Sequence, residues 1–170
     1  MNAVLVPISD FPSSHAALAR VAAEYRRNPE LVVHLLNVRR PLSGRVSRLV
    51  RRSLRHDYYR EKGALALSPA REILDRQHIP YQSHVLVGNA GELIAEEAKR
   101  LRCDRIVMST ARRGSITRLL EDSTTERVLH ETEVPVELVV SDQASALERY
   151  VVPATLAAVG AAIVAALMGG

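Results

Sequence analysis

Apolar positions in the 170-residue chain gather into five short continuous runs, and between the runs they recur at three- and four-residue spacing. Continuous apolar runs suit strands buried on both faces, while the longer period suits the helices that cover them. The first run, residues 3–8 (AVLVPI), breaks at Ser9, Asp10, Phe11 and Pro12. Ser13 and Ser14 then offer an N-cap for a helix with Ala17, Leu18, Val21 and Ala22 on one stripe. Arg27, Asn28 and Pro29 end that helix, and a second strand follows over residues 31–38, closed by Pro41 and Gly44. From Arg45 a helical pattern puts Val46, Leu49, Val50 and Leu54 on one face. A separate helical piece over residues 68–78 carries Pro69 in its first turn, where a missing N–H costs nothing. A third strand is predicted over residues 81–87, a glycine-containing turn over 88–91, and a helix over 92–101 with Leu93, Ile94 and Ala98 facing inward. The fourth strand, residues 105–108, stops at the small polar residues Ser109, Thr110 and Ala111. A helix over residues 123–130 leads into the fifth strand, which Pro135 opens and Val140 closes.

Strand and helix alternate five times. This is the pattern of an α/β fold, an open five-stranded parallel sheet with helices on both faces. The stretch from Arg105 to Leu129 has the form strand, basic loop, helix N-terminus, with Arg112, Arg113 and Arg118 in the loop. Ligands of open α/β sheets bind beyond the carboxyl ends of the strands, where a helix N-terminus presents N–H groups to an anion. An ordinary crossover with a solvated basic loop fits the same residues.

Composition sharpens this picture only in places. With no Trp and a single Phe, the core must be aliphatic. The one cysteine, Cys103, excludes an internal disulfide and a cysteine-based zinc site, and fits a reducing compartment. No secretory leader is expected, because a strand-like run begins almost at once. The six histidines show no metal-ligand spacing and read as structural or surface residues; no metal site and no catalytic residue is expected. No serine has nucleophile-elbow context and Cys103 has no matching histidine, so the chain reads as a non-enzyme.

Charge is uneven. The net charge is +4, yet residues 39–62 hold nine Arg or Lys against two carboxylates, an excess of +7. Arg45, Arg48, Arg51, Arg52 and Arg55 form a basic face suited to anionic lipid or an acidic protein surface, or simply to water. Nucleic acid is not an expected partner, because aromatic residues are not interleaved with the arginines. Residues 150–170 carry no charge and are long enough to span a bilayer as a helix, with small residues Ala157, Gly160, Ala161 and Ala165 suited to helix contacts. Residues 1–142 therefore read as one domain, 143–149 as a linker and 150–170 as an apolar C-terminal helix. That helix is either a tail anchor at the cytoplasmic side of the inner membrane, on lipid or on an integral membrane protein, or a docking helix.

Three segments resemble the universal stress protein family. VLVPISDFPSSHAAL (residues 4–18) is similar to its opening strand and helix, VVHLLNV (residues 32–38) to its second strand, and DRIVMSTARRGSITRLLEDSTTERVLHETEVPVELVV (residues 104–140) to its C-terminal signature. The resemblance implies the strand order 3-2-1-4-5 and a homodimer through the edge of the fifth strand (Pro135 to Val140). It also implies an ATP site built on G-x-x-G, nine residues, then G-[ST]. Here the three glycines correspond to Ser109, Arg112 and Asp122, only Ser123 is kept, and the Asp after the first strand is replaced by Ser9, with Asp10 one position late. Asp122 would repel a polyphosphate and can cap the helix itself. The nucleotide site so implied is degenerate and comprises Ser9, Asp10, Val38, Ser109, Thr110, Arg112, Asp122, Ser123 and Thr124. Two expectations follow. One is a non-enzymatic accessory subunit attached to a membrane or membrane complex, holding no cofactor. The alternative is a soluble cytoplasmic, homodimeric stress regulator that binds ATP or another nucleotide, using Ser123, Arg112, Asp10 and the amides of residues 109–111.

Overall fold

The computed structural model describes residues 2–9, 14–44, 51–111 and 124–141. Five strands and four helices alternate: β1 (Ala3–Pro7), α1 (His15–Tyr25), β2 (Val32–Arg39), α2 (Arg52–Arg76), β3 (Tyr81–Val87), α3 (Ala90–Arg100), β4 (Arg105–Ala111), α4 (Thr124–Glu131) and β5 (Val136–Ser141). All strand pairs are parallel, in the order β3-β2-β1-β4-β5. The central strand, β1, is apolar at every position and buried over its first four, because both its faces are covered. Val4 and Val6 join α1 and α2 on one side, where Leu18, Val21, Leu67 and Leu74 are fully buried. Ala3 and Leu5 join α3 and α4 on the other, with Leu36, Ile94, Ile106 and Val128. Packing on both faces is aliphatic, as the composition required.

Three differences from the expected elements have physical causes. The two helical pieces on either side of residue 68 are one helix, α2, with Pro69 inside it. Proline leaves the carbonyl four residues back without its donor. Here that carbonyl, of Leu65, accepts from Ser68 Oγ at 3.0 Å, so the helix continues. Gly63 brings α2 against β3, because a Cβ there would overlap Val85. Secondly, Leu54 is not on an inward stripe: it is 59% exposed on the first turn of α2. Arg51 and Arg52 beside it are exposed and Arg55 is half-buried; Arg45, Arg48, Val46, Leu49 and Val50 lie outside the described residues. Thirdly, β4 does not stop at Met108. Ser109, Thr110 and Ala111 continue the strand opposite Val139, Val140 and Ser141 of β5, so their backbone is part of the sheet and not of a phosphate-binding loop. Partnership with β5 overrides the weak strand preference of small polar residues.

The edge strand β5 is tied to α1 and β4 by charge. Glu137 meets Arg20 at 2.7 Å and Arg105 at 3.4 Å, and both arginines also reach Glu24. Among the described residues no helix is long and apolar enough to cross a membrane, and the apolar run 150–170 lies outside them.

Candidate functional site

In this strand order the chain reverses its direction of winding between β1 and β4, and a crevice opens at the carboxyl ends of the strands at such a point. Neighbouring elements hold its walls in place. The N–H of Ile8, just past β1, donates to the Leu36 carbonyl at 2.7 Å. Asn37, fully buried on β2, donates from Nδ2 to the Ile8 carbonyl at 2.6 Å. From β4, Ser109 Oγ accepts from the Ala17 N–H in the first turn of α1, at 2.9 Å. Ser14 occupies the N-cap position but makes no side-chain cap bond, so a hydroxyl from across the sheet does the capping expected of Ser13 or Ser14. Asn89 caps α3, its Oδ1 accepting from the Gly91 N–H at 3.1 Å.

These elements enclose a cleft of about 310 Å³. Its floor is apolar, made by Ile8, Leu36, Val38, Ile94 and Met108, and its rim carries the hydroxyl residues Ser9, Ser14, Ser109, Thr124 and Thr125. No ionisable side chain lines it among the described residues. Small-ligand sites occupy about 300–1,000 Å³ and pair apolar walls with a few convergent polar groups. A flat, largely apolar ring bearing hydroxyl or ring-nitrogen partners matches this lining.

The profile of the universal stress protein family matches residues 1–140. The chain belongs to the universal stress protein family. Solved relatives agree in fold. The hypothetical protein MJ0577 is 22% identical with a TM-score of 0.65, over 83% of this chain and 96% of that one. Universal stress protein UspA from Lactobacillus plantarum is 17% identical with a TM-score of 0.62, over 81% and 97%. The universal stress protein from Archaeoglobus fulgidus, solved in complex with dAMP, is 18% identical with a TM-score of 0.54, over 82% and 97%. A further universal stress protein structure, at 17% identity, 81% and 96% coverage and a TM-score of 0.62, is a complex with cAMP. No curated protein matches the chain.

Within this universal stress protein domain, four of the expected site residues meet in one place: Ser9, Val38, Ser109 and Thr124 all line the cleft. Thr110 follows Ser109 along β4, opposite Val140. Asp10, Arg112, Asp122 and Ser123 lie outside the described residues. Leu36, Ile94, Met108 and Thr125 also line the cleft and are not among the site residues that the family resemblance implies. Leu36 and Met108 were legible in principle, since strand alternation puts Leu36 on the face of Val38.

A second polar group on the same sheet face was not foreseen. His34 on β2 lies with its Nδ1 3.2 Å from His84 Nε2 on β3, and His84 Nδ1 lies 3.3 Å from Glu97 Oε1 on α3. Arg100 clamps Glu97 with two bonds of 2.6 and 2.7 Å. With its Nδ1 proton turned to the carboxylate, His84 presents Nε2 as acceptor for His34 Nδ1–H, and the chain of bonds is complete with both rings neutral. Burial holds both imidazoles below their ordinary pKa, and for His34 the neighbouring ring adds to the effect. The Arg100 hydrogen bonds hold the Glu97 carboxyl below the usual carboxylate range. Cys103 is buried, and desolvation pushes its thiol up to about 11, which removes it as a nucleophile at neutral pH.

Proposed function

We propose that this universal stress protein domain binds an adenine nucleotide in the cleft at the β1/β4 switch point and acts as a ligand-responsive regulator, with no catalytic step. The observation that carries the reading is the cleft itself, with an apolar floor wide enough for a base and a rim of five hydroxyl residues. The relatives solved with cAMP and dAMP support a nucleotide as the ligand. Homodimerisation through β5, an edge strand of the sheet with Leu138 42% exposed, belongs to the same reading. Titration of the native chain with ATP, AMP and adenosine tests it. Saturable binding at one site per chain is expected, with Kd below about 1 mM, or −4.1 kcal/mol. Val38→Trp, which fills the cleft, should weaken binding at least tenfold in a protein whose melting transition is still cooperative. Absence of saturable binding to the native chain, or undiminished binding to a folded Val38→Trp variant, would overturn the reading.

Membrane attachment is a second reading of the full chain, favoured by the 21 uncharged residues from Tyr150 to Gly170. Carbonate-resistant retention of the full chain, lost when it ends at Ser145, would support an anchor. Release of both forms would discard it.

A further inference from the structure

Next to the cleft lies a second cavity of about 340 Å³, lined by Arg40, Gly88, Asn89, Ala90, Gly91, Thr124 and Arg127. Ala90 and Thr124 are walls of both cavities, so the two are immediate neighbours. Their chemistry is complementary. Among the described residues, the cleft is apolar and hydroxyl-rimmed with no ionisable lining, whereas the annex is lined by two arginines and no carboxylate.

Arg40 and Arg127 reach the annex from different parts of the fold. Arg40 follows directly on β2, and Arg127 stands on α4. Neither takes part in an ion pair among the described residues, unlike Arg20, Arg60, Arg100 and Arg105. Gly91 in the first turn of α3 sets Arg127 in place, because a Cβ at Gly91 would overlap Arg127 Cβ and force the two helices apart. The stem of Arg127 is thereby held against the amino-terminal end of α3, where the helix dipole also favours negative charge. An anion seated in this cavity would have cationic side chains from two separate elements beside it.

The usual phosphate loop of the family is altered in this chain, with Ser109, Arg112 and Asp122 at its glycine positions. Ser109 is committed to the sheet and to capping α1. We propose that the annex is an anion subsite in which Arg40 and Arg127 hold the phosphate of a nucleotide whose base and sugar occupy the cleft. This rests on the cleft being a nucleoside site, and it names where the charged end of the ligand goes.

Calorimetric titration of the native chain, Arg40→Ala, Arg127→Ala and the double variant with adenosine and with AMP tests both together. Arg40 is exposed and Arg127→Ala keeps the Cβ that packs on Gly91, so each variant should melt as the native chain does. AMP should bind the native chain about tenfold tighter than adenosine, as charge-assisted hydrogen bonds imply. Each single variant should lose several-fold of AMP affinity, and the double variant should bind AMP no better than adenosine. Adenosine affinity should stay within twofold throughout, and Arg127→Lys should recover part of the loss. Adenosine and AMP binding equally to the native chain, or AMP affinity unmoved in the double variant, would overturn the annex proposal and leave the cleft reading standing. No binding of adenosine or AMP to the native chain would overturn both.

Discussion

Strand β2 supplies both polar regions on one face of the sheet, and they behave in opposite ways. At its amino-terminal half, His34 is buried against His84, Glu97 and Arg100, and these groups use one another as partners. Four residues further on, Val38 lines a cleft rimmed by hydroxyl residues with about 310 Å³ of space between its walls. Buried polar groups are costly unless they are paired, so the first region is a closed circuit that contributes to stability. The second keeps polar groups beside a volume that the described residues leave open, and such a volume suits a ligand. Polarity in a core is therefore a poor guide to function until one knows whether its hydrogen bonds are already taken.

The strongest way to break this contrast is Glu97→Ala. It removes the carboxylate that joins His84 to Arg100 and leaves the His84 Nδ1–H without its acceptor, while His34 still donates to His84. Because Arg100 is largely exposed, the loss should fall below that of a fully buried pair, at about 2–3 kcal/mol in urea unfolding. Nucleotide affinity of the folded variant should move less than twofold. A stability change under 1 kcal/mol would remove the cluster from the list of structural supports.

Acidification acts on the same cluster without a mutation. His34 and His84 have lowered pKa values in the folded chain, so the unfolded chain takes up protons first. Their contribution is present above the ordinary histidine value of 6.5 and is lost as pH falls below it; that of Glu97 is lost at still lower pH, as its carboxyl protonates. The urea midpoint should drop between pH 7.5 and 5.5, and His84→Gln should flatten that dependence. An unchanged slope in His84→Gln would assign the acid sensitivity elsewhere.

A smaller effect separates the two roles of Ser109. Ser109→Ala removes the cap on the Ala17 N–H and should cost about 1 kcal/mol. Because Ser109 also lines the cleft, nucleotide affinity should fall by a few-fold as well. Loss of stability alone would make Ser109 a cap and nothing more.

Much of the fold was legible. The run 81–87 and the observed strand Tyr81–Val87 coincide, and Ala17, Leu18, Val21 and Ala22 are all buried as their spacing required. The errors arose where one local signal was taken alone. Pro69 points to a helix start because proline seldom sits inside a helix, and the hydroxyl of Ser68 that compensates the Leu65 carbonyl is visible only in three dimensions. Leu54 fits an apolar stripe, but periodicity does not say whether anything packs against it, and it is 59% exposed. In the candidate site, Ser9, Val38, Ser109 and Thr124 came from the family resemblance, and the structure places them in one cleft. Arg40 and Arg127 stood out in neither pattern nor motif, since they are 87 positions apart and arginines on polar faces are ordinary.

By itself the sequence determined the α/β class and its elements, because periodicity and turn residues record local backbone preference and which faces must be buried. Tertiary structure alone decided the rest. Parallel pairing of β2 with β3 brings His34 and His84, 50 residues apart, together as diagonal neighbours, β5 draws Ser109 into β4, and the reversal of winding between β1 and β4 opens the cleft. Each of these depends on contacts between elements distant along the chain, and a local pattern holds no record of a partner it has not yet met.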